Sequence, residues 1–231
     1  MRGVGLGVPI LLGYLPVGIA FGILAAGAGF SLIQAMACSA FAIAGAGQFI
    51  ALAVMKTGGD AVSVLLATGV VNLRYVLFST TMTPYWKRIP LLGQAALAFS
   101  LTDETFAVNI TDLEAGRATP ASMAGVGAVS WVGWVTGTAL GAGASSLIGN
   151  PSRWGVDFAM AAMFTALLVA QVKDRRHLAV GAIAGVLAGV GALVLPGTWY
   201  IVVAAMGAAL AGAVIYRDAP DHPGDSSAGA S

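Results

Sequence analysis

Long apolar runs separated by short polar turns organise this chain. Residues 3–55, 118–152 and 178–216 contain no charged residue. Because a helix needs about 20 apolar residues to cross the bilayer, two of these runs are long enough for two helices each. The pattern predicts membrane spans at about 7–28, 32–55, 61–83, 91–112, 121–148, 154–172, 178–195 and 198–216.

The turns between these spans contain residues typical of membrane boundaries. Residues 56–60 form a polar turn, and residues 84–90 combine prolines, aromatics and cations. We therefore predict an all-α polytopic membrane helix bundle with about eight transmembrane helices, seven being the alternative. GIAFGILAAGAGFSLIQ resembles GTALGAGASSLIGN, which indicates either an internal repeat or shared composition.

Composition supports the membrane assignment. The 231 residues are 58% hydrophobic and 9% charged, whereas soluble domains carry roughly 25% charged residues. A single cysteine, Cys38, excludes an internal disulfide, and the two histidines lie outside the spans. No metal or cofactor is indicated. Residues 1–216 form the predicted transmembrane domain, and 217–231 a disordered polar tail.

The positive-inside rule orients the eight-span prediction. With a cytoplasmic N-terminus, seven cations lie inside and three, Lys87, Arg88 and Arg153, lie outside; the inside set is Arg2, Lys56, Arg117, Lys173, Arg175, Arg176 and Arg217. A re-entrant fourth segment would move the cluster at 173–176 outside. We expect a plasma (inner) membrane protein with both termini in the cytoplasm.

Three charged residues fall near the middle of apolar stretches: Arg74, Asp103 and Glu104. A charge at the bilayer centre costs a few kcal/mol or more, so it usually serves function or pairs with another charge. Arg74 follows Asn72 in VVNLRY and can meet a substrate carboxylate or an acidic side chain. A structural ion pair that fixes helix packing is the other interpretation.

The two acids of the fourth span are adjacent. On a helix they point roughly 100° apart, so one can pair with Arg74 while the other faces a hydrated path. Alternatively, the helix breaks here and the acids line a vestibule. We predict that Arg74 lies within salt-bridge or water-bridged reach of Asp103 or Glu104, and that Asp103 is the first candidate for proton coupling.

Glycines predict two further features. Gly45, Gly47 and Gln48 suit an unwound segment in the second span that borders a cavity, where free N–H groups can bind a carboxylate; close helix packing with a hydrogen-bonded Gln48 is the alternative. Small-residue ridges, Gly133-x3-Gly137-x3-Gly141 and Gly181-x3-Gly185-x3-Gly189, favour close helix packing.

Several segments together resemble the AzlC family, the large subunit of branched-chain amino acid exporters. The segments are LPVGIAFG, AGAGQF, VNLRYVLFS, LTDETFA and DFAMAAMFTALLV. The resemblance implies export of leucine, isoleucine, valine and sometimes methionine, driven by the proton-motive force, with a small AzlD-type membrane subunit. Family members often have His where this chain has Tyr75, so a histidine relay at that position is absent here.

Three functions remain open at this point: a secondary exporter of small apolar amino acids, a passive channel subunit, and a scaffold subunit. An enzyme is disfavoured, because no Ser-His pair or aspartyl dyad is evident. The predicted substrate-binding or coupling residues are Arg74, Asp103, Glu104, Gln48, Asn72, Gly45 and Gly47.

Overall fold

The computed structural model describes residues 1–148, 174–195 and 199–216, with isolated positions between 155 and 172. The described residues with regular secondary structure are helical. They form ten helices: α1 Arg2–Gly27, α2 Leu32–Phe41, α3 Gly45–Lys56, α4 Ala61–Asn72, α5 Arg74–Trp86, α6 Leu91–Phe99, α7 Asp103–Glu114, α8 Pro120–Ile148, α9 Arg175–Val194 and α10 Trp199–Tyr216. The tail at 217–231 and most of the predicted span at 154–172 lie outside the described residues.

Four stretches are long and apolar enough to cross a membrane: Arg2–Gly27, Ala61–Trp86, Pro120–Leu147 and Arg175–Val194. Shorter apolar helices include Leu32–Phe41, Gly45–Lys56 and Val203–Ile215. The first two result from the division of one predicted span. These features confirm the predicted all-α polytopic membrane bundle. The chain forms two compact units, Met1–Phe164 and Thr165–Ser231, and the first contains all the predicted site residues.

Helices α1 and α8 pack with their backbones in direct contact. A Cβ atom on Gly22 would lie 2.3 Å from the carbonyl oxygen of Thr138, and one on Gly141 would lie 2.0 Å from that of Ile19. Real Cβ atoms do not approach so closely, so only glycine fits at these positions. The ridge predicted at residues 133–141 is therefore confirmed as a close-packing surface.

The α1–α8 contacts advance in the same direction along both helices, so the two helices are parallel. The contacting pairs are Gly3 with Ser122, Gly7 with Val129, Gly18 with Gly137 and Gly22 with Ala142. If two parallel helices both span the bilayer, the chain between them must cross the bilayer an odd number of times.

The chain meets this requirement with one crossing between α1 and α8, Ala61–Trp86. The predicted fourth span does not cross. Ile89 before it and Pro120 after it line the same surface groove. Thr102 at its interruption reaches Tyr14 in the middle of α1, and Asp112 near its end returns to Arg2. The predicted second span must then turn back as well, so the prediction that the second and fourth spans cross was wrong.

The second, third and fourth predicted spans are each interrupted. Residues 42–44 separate α2 from α3, Leu73 separates α4 from α5, and residues 100–102 separate α6 from α7. The prediction that Gly45–Gln48 itself is unwound was wrong, because these residues form the first turn of α3. Ala42 and Ala44 adopt φ values of −131° and −126°, which any L-residue allows, so the interruption needs no glycine.

The second unit contains a pair of packed helices, α9 and α10. The glycines predicted to pack closely, Gly181, Gly185 and Gly189, are not the ones at its close contacts. A Cβ on Gly185 or Gly189 would meet no described atom within 4 Å. The close contacts use other glycines instead. A Cβ on Gly191 would lie 2.9 Å from Tyr200 Cβ, and one on Gly207 would lie 2.6 Å from Leu187 Cδ1.

Candidate functional site

Arg74 and Asp103 form an ion pair between two helix beginnings. The Nη1 atom of Arg74 lies 2.6 Å from Oδ2 of Asp103, and each side chain is 22% exposed. Arg74 is the first residue of α5 and Asp103 the first residue of α7. Arg74 lies near the middle of the stretch Ala61–Trp86. The predicted pairing is confirmed, at the depth where a charge most needs a partner.

Glu104 has a different partner from Asp103. The Tyr14 hydroxyl donates a hydrogen bond of 2.5 Å to Oε2 of Glu104 and lies 2.7 Å from the Thr102 hydroxyl oxygen. Thr102 also caps α7 together with Thr105. The two adjacent acids therefore point to separate surroundings, one cationic and one neutral, as their helical spacing predicted.

Asn72 and Arg74 carry buried polar atoms without hydrogen-bond partners among the described residues. These atoms are Oδ1 of Asn72 and Nε of Arg74, and the hydroxyl of Tyr75 is in the same condition. The Arg74 guanidinium carbon lies 5.2 Å from the Tyr75 ring centroid. Buried polar groups are normally satisfied, so these unsatisfied atoms on neighbouring residues indicate a place where a ligand or water belongs.

Gln48 is fully engaged within the helix packing. Its amide nitrogen donates to Ser39 Oγ at 3.2 Å and lies 3.4 Å from Cys38 Sγ, while its oxygen accepts from Trp134 Nε1 at 2.9 Å. The side chain is buried. These bonds join α3 to α2 and α8, which matches the packing alternative for Gln48 and leaves little hydrogen-bonding capacity for a ligand.

The first turn of α3 faces the same groups. A Cβ on Gly47 would lie 3.0 Å from both Asn72 amide atoms, and one on Gly45 would lie 3.2 Å from the Trp134 ring. The two glycines thus allow Asn72 and Trp134 to approach the α3 backbone. No side chain caps this end of α3, so its first N–H groups lack partners within the helix.

The contacts form a closed chain around one region of the first unit. Trp134, next to Gly45, packs edge-on against Tyr14 at 5.4 Å between ring centroids. Tyr14 binds Glu104, whose neighbour Asp103 binds Arg74. Asn72, two residues before Arg74 in the sequence, packs against Gly47 and closes the ring. We call this set the central cluster: Tyr14, Gly45, Gly47, Asn72, Arg74, Asp103, Glu104 and Trp134. It brings together six of the seven predicted site residues, with Gln48 directly behind it.

Sequence reasoning missed the aromatic members of the central cluster. Tyr14 and Trp134 lie in apolar runs, where such residues are common. A phenol far from either end of a long apolar run was the one available signal for Tyr14, because a buried hydroxyl needs a partner. Among the described residues, no group of three or more His, Cys, Asp or Glu side chains could hold a metal ion.

A second charged group was also missed. Asp112, near the end of α7, lies 2.5 Å from Arg2 Nη2 and 3.1 Å from Arg117 Nε. The start of α1, the end of α7 and the connection into α8 therefore meet on one side. This agrees with the parallel packing of α1 and α8, and it places Arg2 and Arg117 on the same side of the bilayer.

A bundle of apolar helices, three of whose predicted spans are interrupted around a half-buried ion pair, defines a polytopic helical membrane protein. The family described as AzlC protein matches residues 9–148. The chain belongs to the AzlC family, as the resemblance of its segments predicted.

Named relatives agree with this membership. The chain is 32% identical over 203 residues to inner membrane protein YgaZ of Escherichia coli (strain K12), covering 85% of this chain and 83% of the relative. It is 34% identical over 170 residues to an uncharacterized membrane protein of Archaeoglobus fulgidus, covering 72% and 73%. It is 28% identical over 212 residues to branched-chain amino acid transport protein AzlC of Bacillus subtilis (strain 168), covering 91% and 82%. No solved structure matches the chain.

Proposed function

We propose that this protein is a secondary exporter of branched-chain and other small apolar amino acids, driven by the proton-motive force. The observation that carries the proposal is the Arg74–Asp103 ion pair, held between two helix beginnings in the middle of the bundle. The name of the Bacillus subtilis relative supports the substrate class. The site has groups for each part of a zwitterion.

The substrate carboxylate binds Arg74 and the N-terminal amides of α3. Arg74 Nε has no partner among the described residues, and guanidinium groups bind carboxylates through two parallel hydrogen bonds. The uncapped end of α3 adds the partial positive charge of a helix N-terminus. Asn72 Oδ1, another unpartnered atom, accepts a hydrogen bond from the substrate.

The substrate ammonium replaces Arg74 as the partner of Asp103. A zwitterion inserted into the ion pair supplies an anion to Arg74 and a cation to Asp103, so neither half-buried charge is left uncompensated. An ammonium group and a proton both neutralise Asp103, so protonation weakens the binding of the ammonium while the other substrate contacts remain. Competition of this kind couples an outgoing amino acid to an incoming proton.

A separately encoded small membrane subunit of the AzlD type completes the proposed transporter. We place both termini in the cytoplasm, as the distribution of cations favours. The second candidate function is a passive channel or scaffold subunit, in which the Arg74–Asp103 pair only fixes helix packing. The unpartnered atoms of Asn72 and Arg74 favour the carrier, because a purely structural pair has no use for them.

Counterflow in proteoliposomes tests the proposal. Purified protein, with and without the small subunit, is reconstituted in vesicles loaded with unlabelled leucine or valine, and uptake of the labelled amino acid is measured. A carrier accumulates label transiently and shows no ionic conductance. A channel equilibrates the label without an overshoot, and a scaffold shows no uptake even with the small subunit present; either result would overturn the proposal.

A further inference from the structure

The hydroxyl of Tyr75 is buried and has no hydrogen-bond partner among the described residues. Tyr75 follows Arg74 at the start of α5, and the Arg74 guanidinium carbon lies 5.2 Å from the centre of its ring. The charged side chains that act electrostatically on this hydroxyl are Arg74, Asp103 and Glu104. Because a buried hydroxyl without a partner is unfavourable, the ion pair has beside it a polar group that a bound ligand would satisfy.

Aromatic packing holds the Tyr75 ring beside the ion pair. The ring packs edge-on against Phe78, with 5.9 Å between the centroids, and Phe78 stacks on Phe106 of α7 at 4.4 Å. Phe106 follows Asp103 by three residues, about one helical turn. Helices α5 and α7 are thus joined by the Arg74–Asp103 contact and by this aromatic row. The hydroxyl is held in position before a ligand arrives, which lowers the entropic cost of binding.

Asn72 and Tyr75 are neighbours on one face of the α4–α5 stretch. Leu73, between the two helices, has φ and ψ of −54° and −27°, in the right-handed helical region. The backbone therefore keeps a helical course through the interruption, and residues three apart are adjacent on a helix surface. Two oxygens without partners, Oδ1 of Asn72 and the hydroxyl oxygen of Tyr75, follow from this as a pair of acceptors next to Arg74.

The ammonium group of an amino acid has three N–H donors and no acceptor. In a zwitterion with an apolar side chain it is the only hydrogen-bond donor, so Asp103 and Asn72 can each accept from nothing else. We propose that the Tyr75 hydroxyl is the third acceptor for the substrate ammonium. This inference rests on the proposed function. It makes the site selective for a primary ammonium group as well as for a carboxylate.

Recognition by three acceptors makes the number of N–H groups on the substrate nitrogen decisive. N-methylleucine has the side chain and carboxylate of leucine but only two N–H donors. Its binding leaves one buried acceptor unpaired, and sites built to hydrogen-bond a substrate group reject analogues that lack it. We expect wild-type protein to prefer leucine to N-methylleucine by at least about tenfold.

The test measures leucine and N-methylleucine as competitors of labelled leucine counterflow in the full-length reconstituted protein. Tyr75→Phe leaves two acceptors, which match two N–H groups. Leucine should then compete roughly 10- to 100-fold less well, and N-methylleucine should change by less than about threefold. Without substrate, the melting temperature should stay the same or rise, because the deleted hydroxyl had no partner. Tyr85→Phe removes a hydroxyl from an exposed residue of the same helix and should change neither measurement.

Three results would overturn the third acceptor and leave the transporter proposal intact. An equal loss for both competitors in Tyr75→Phe would place the hydroxyl at the substrate carboxylate. Unchanged competition would remove it from the site. A lower melting temperature without substrate would give it a structural role instead. If wild-type protein neither binds nor exchanges leucine, the proposed function itself fails, and the third acceptor fails with it.

Discussion

The α1–α8 interface and the central cluster differ in the residues that form them: the first is made of glycines, the second of charged, polar and aromatic side chains. The interface has glycines that place two backbones in contact and carries no charge along Gly3–Gly22. The charged members of the central cluster lie on interrupted helices, and two of its residues, Asn72 and Arg74, carry unpartnered polar atoms. Backbone contact tolerates no rearrangement without a clash, whereas ion pairs at helix beginnings can exchange partners. The α1–α8 pair is therefore the rigid part of the bundle, which we call the frame, and the interrupted helices are the part that can rearrange.

Breaking the frame should have the largest effect. Gly141→Leu places a side chain where even a Cβ would lie 2.0 Å from the Ile19 carbonyl oxygen, and overpacking of this kind typically costs about 1–3 kcal/mol and occasionally more. We expect little monodisperse protein after detergent extraction, measured by size-exclusion chromatography and thermal unfolding. Gly143→Leu is the control, two residues away with no atom within 4 Å. Equal behaviour of the two variants would refute a frame role.

Removing the cation should abolish transport while the frame survives. Arg74→Gln deletes the proposed carboxylate partner and leaves Asp103 uncompensated, so we expect leucine counterflow to fall at least about 100-fold with some loss of stability. Adding Asp103→Asn should recover the melting temperature but not transport. Recovery of transport in the double variant would show that the pair is only structural.

Neutralising the acid should separate coupling from exchange. Asparagine keeps the size and hydrogen bonding of a protonated aspartate but cannot release a proton. In Asp103→Asn we expect proton-driven net export to disappear while some substrate exchange remains, measured under an imposed pH gradient. Poor expression with loss of both activities would indicate a structural role. Wild-type export rates would exclude Asp103 and make Glu104 the next candidate for coupling.

The smallest effect is expected far from both regions, at the cap of α4. The Asp60 carboxylate accepts from the Ser63 N–H at 2.9 Å, and hydrogen bonding to Ser63 lowers the pKa of Asp60 below its ordinary 3.8. Its stabilisation is therefore complete above that value and is lost as the pH falls through the lower folded pKa. Asp60→Ala should lower the melting temperature slightly at pH 7 and converge with wild type in acid. A pH-independent difference would contradict this.

The sequence predicted the charges better than the helix interruptions. Arg74 and the two acids were identifiable because isolated charges in apolar runs need partners, and two neighbouring spans offered them at similar depth. The interruption before Gly45 was misplaced because an alanine-rich segment carries no breaking signal. It depends on tertiary contacts, such as those of Gln48 with Ser39 and Trp134. Single-chain patterns do not contain such contacts.

The position of Trp134 gives the protein a built-in optical reporter. Its indole N–H is bound to Gln48, and its ring meets Tyr14, the hydrogen-bond partner of Glu104. A change in the surroundings of Glu104 therefore alters the position of Tyr14, and with it the environment of the Trp134 ring. The chain has five tryptophans, so replacing the other four with phenylalanine would leave a single emission band. Its shift on adding leucine would follow occupancy in real time, without a label or a transmembrane gradient.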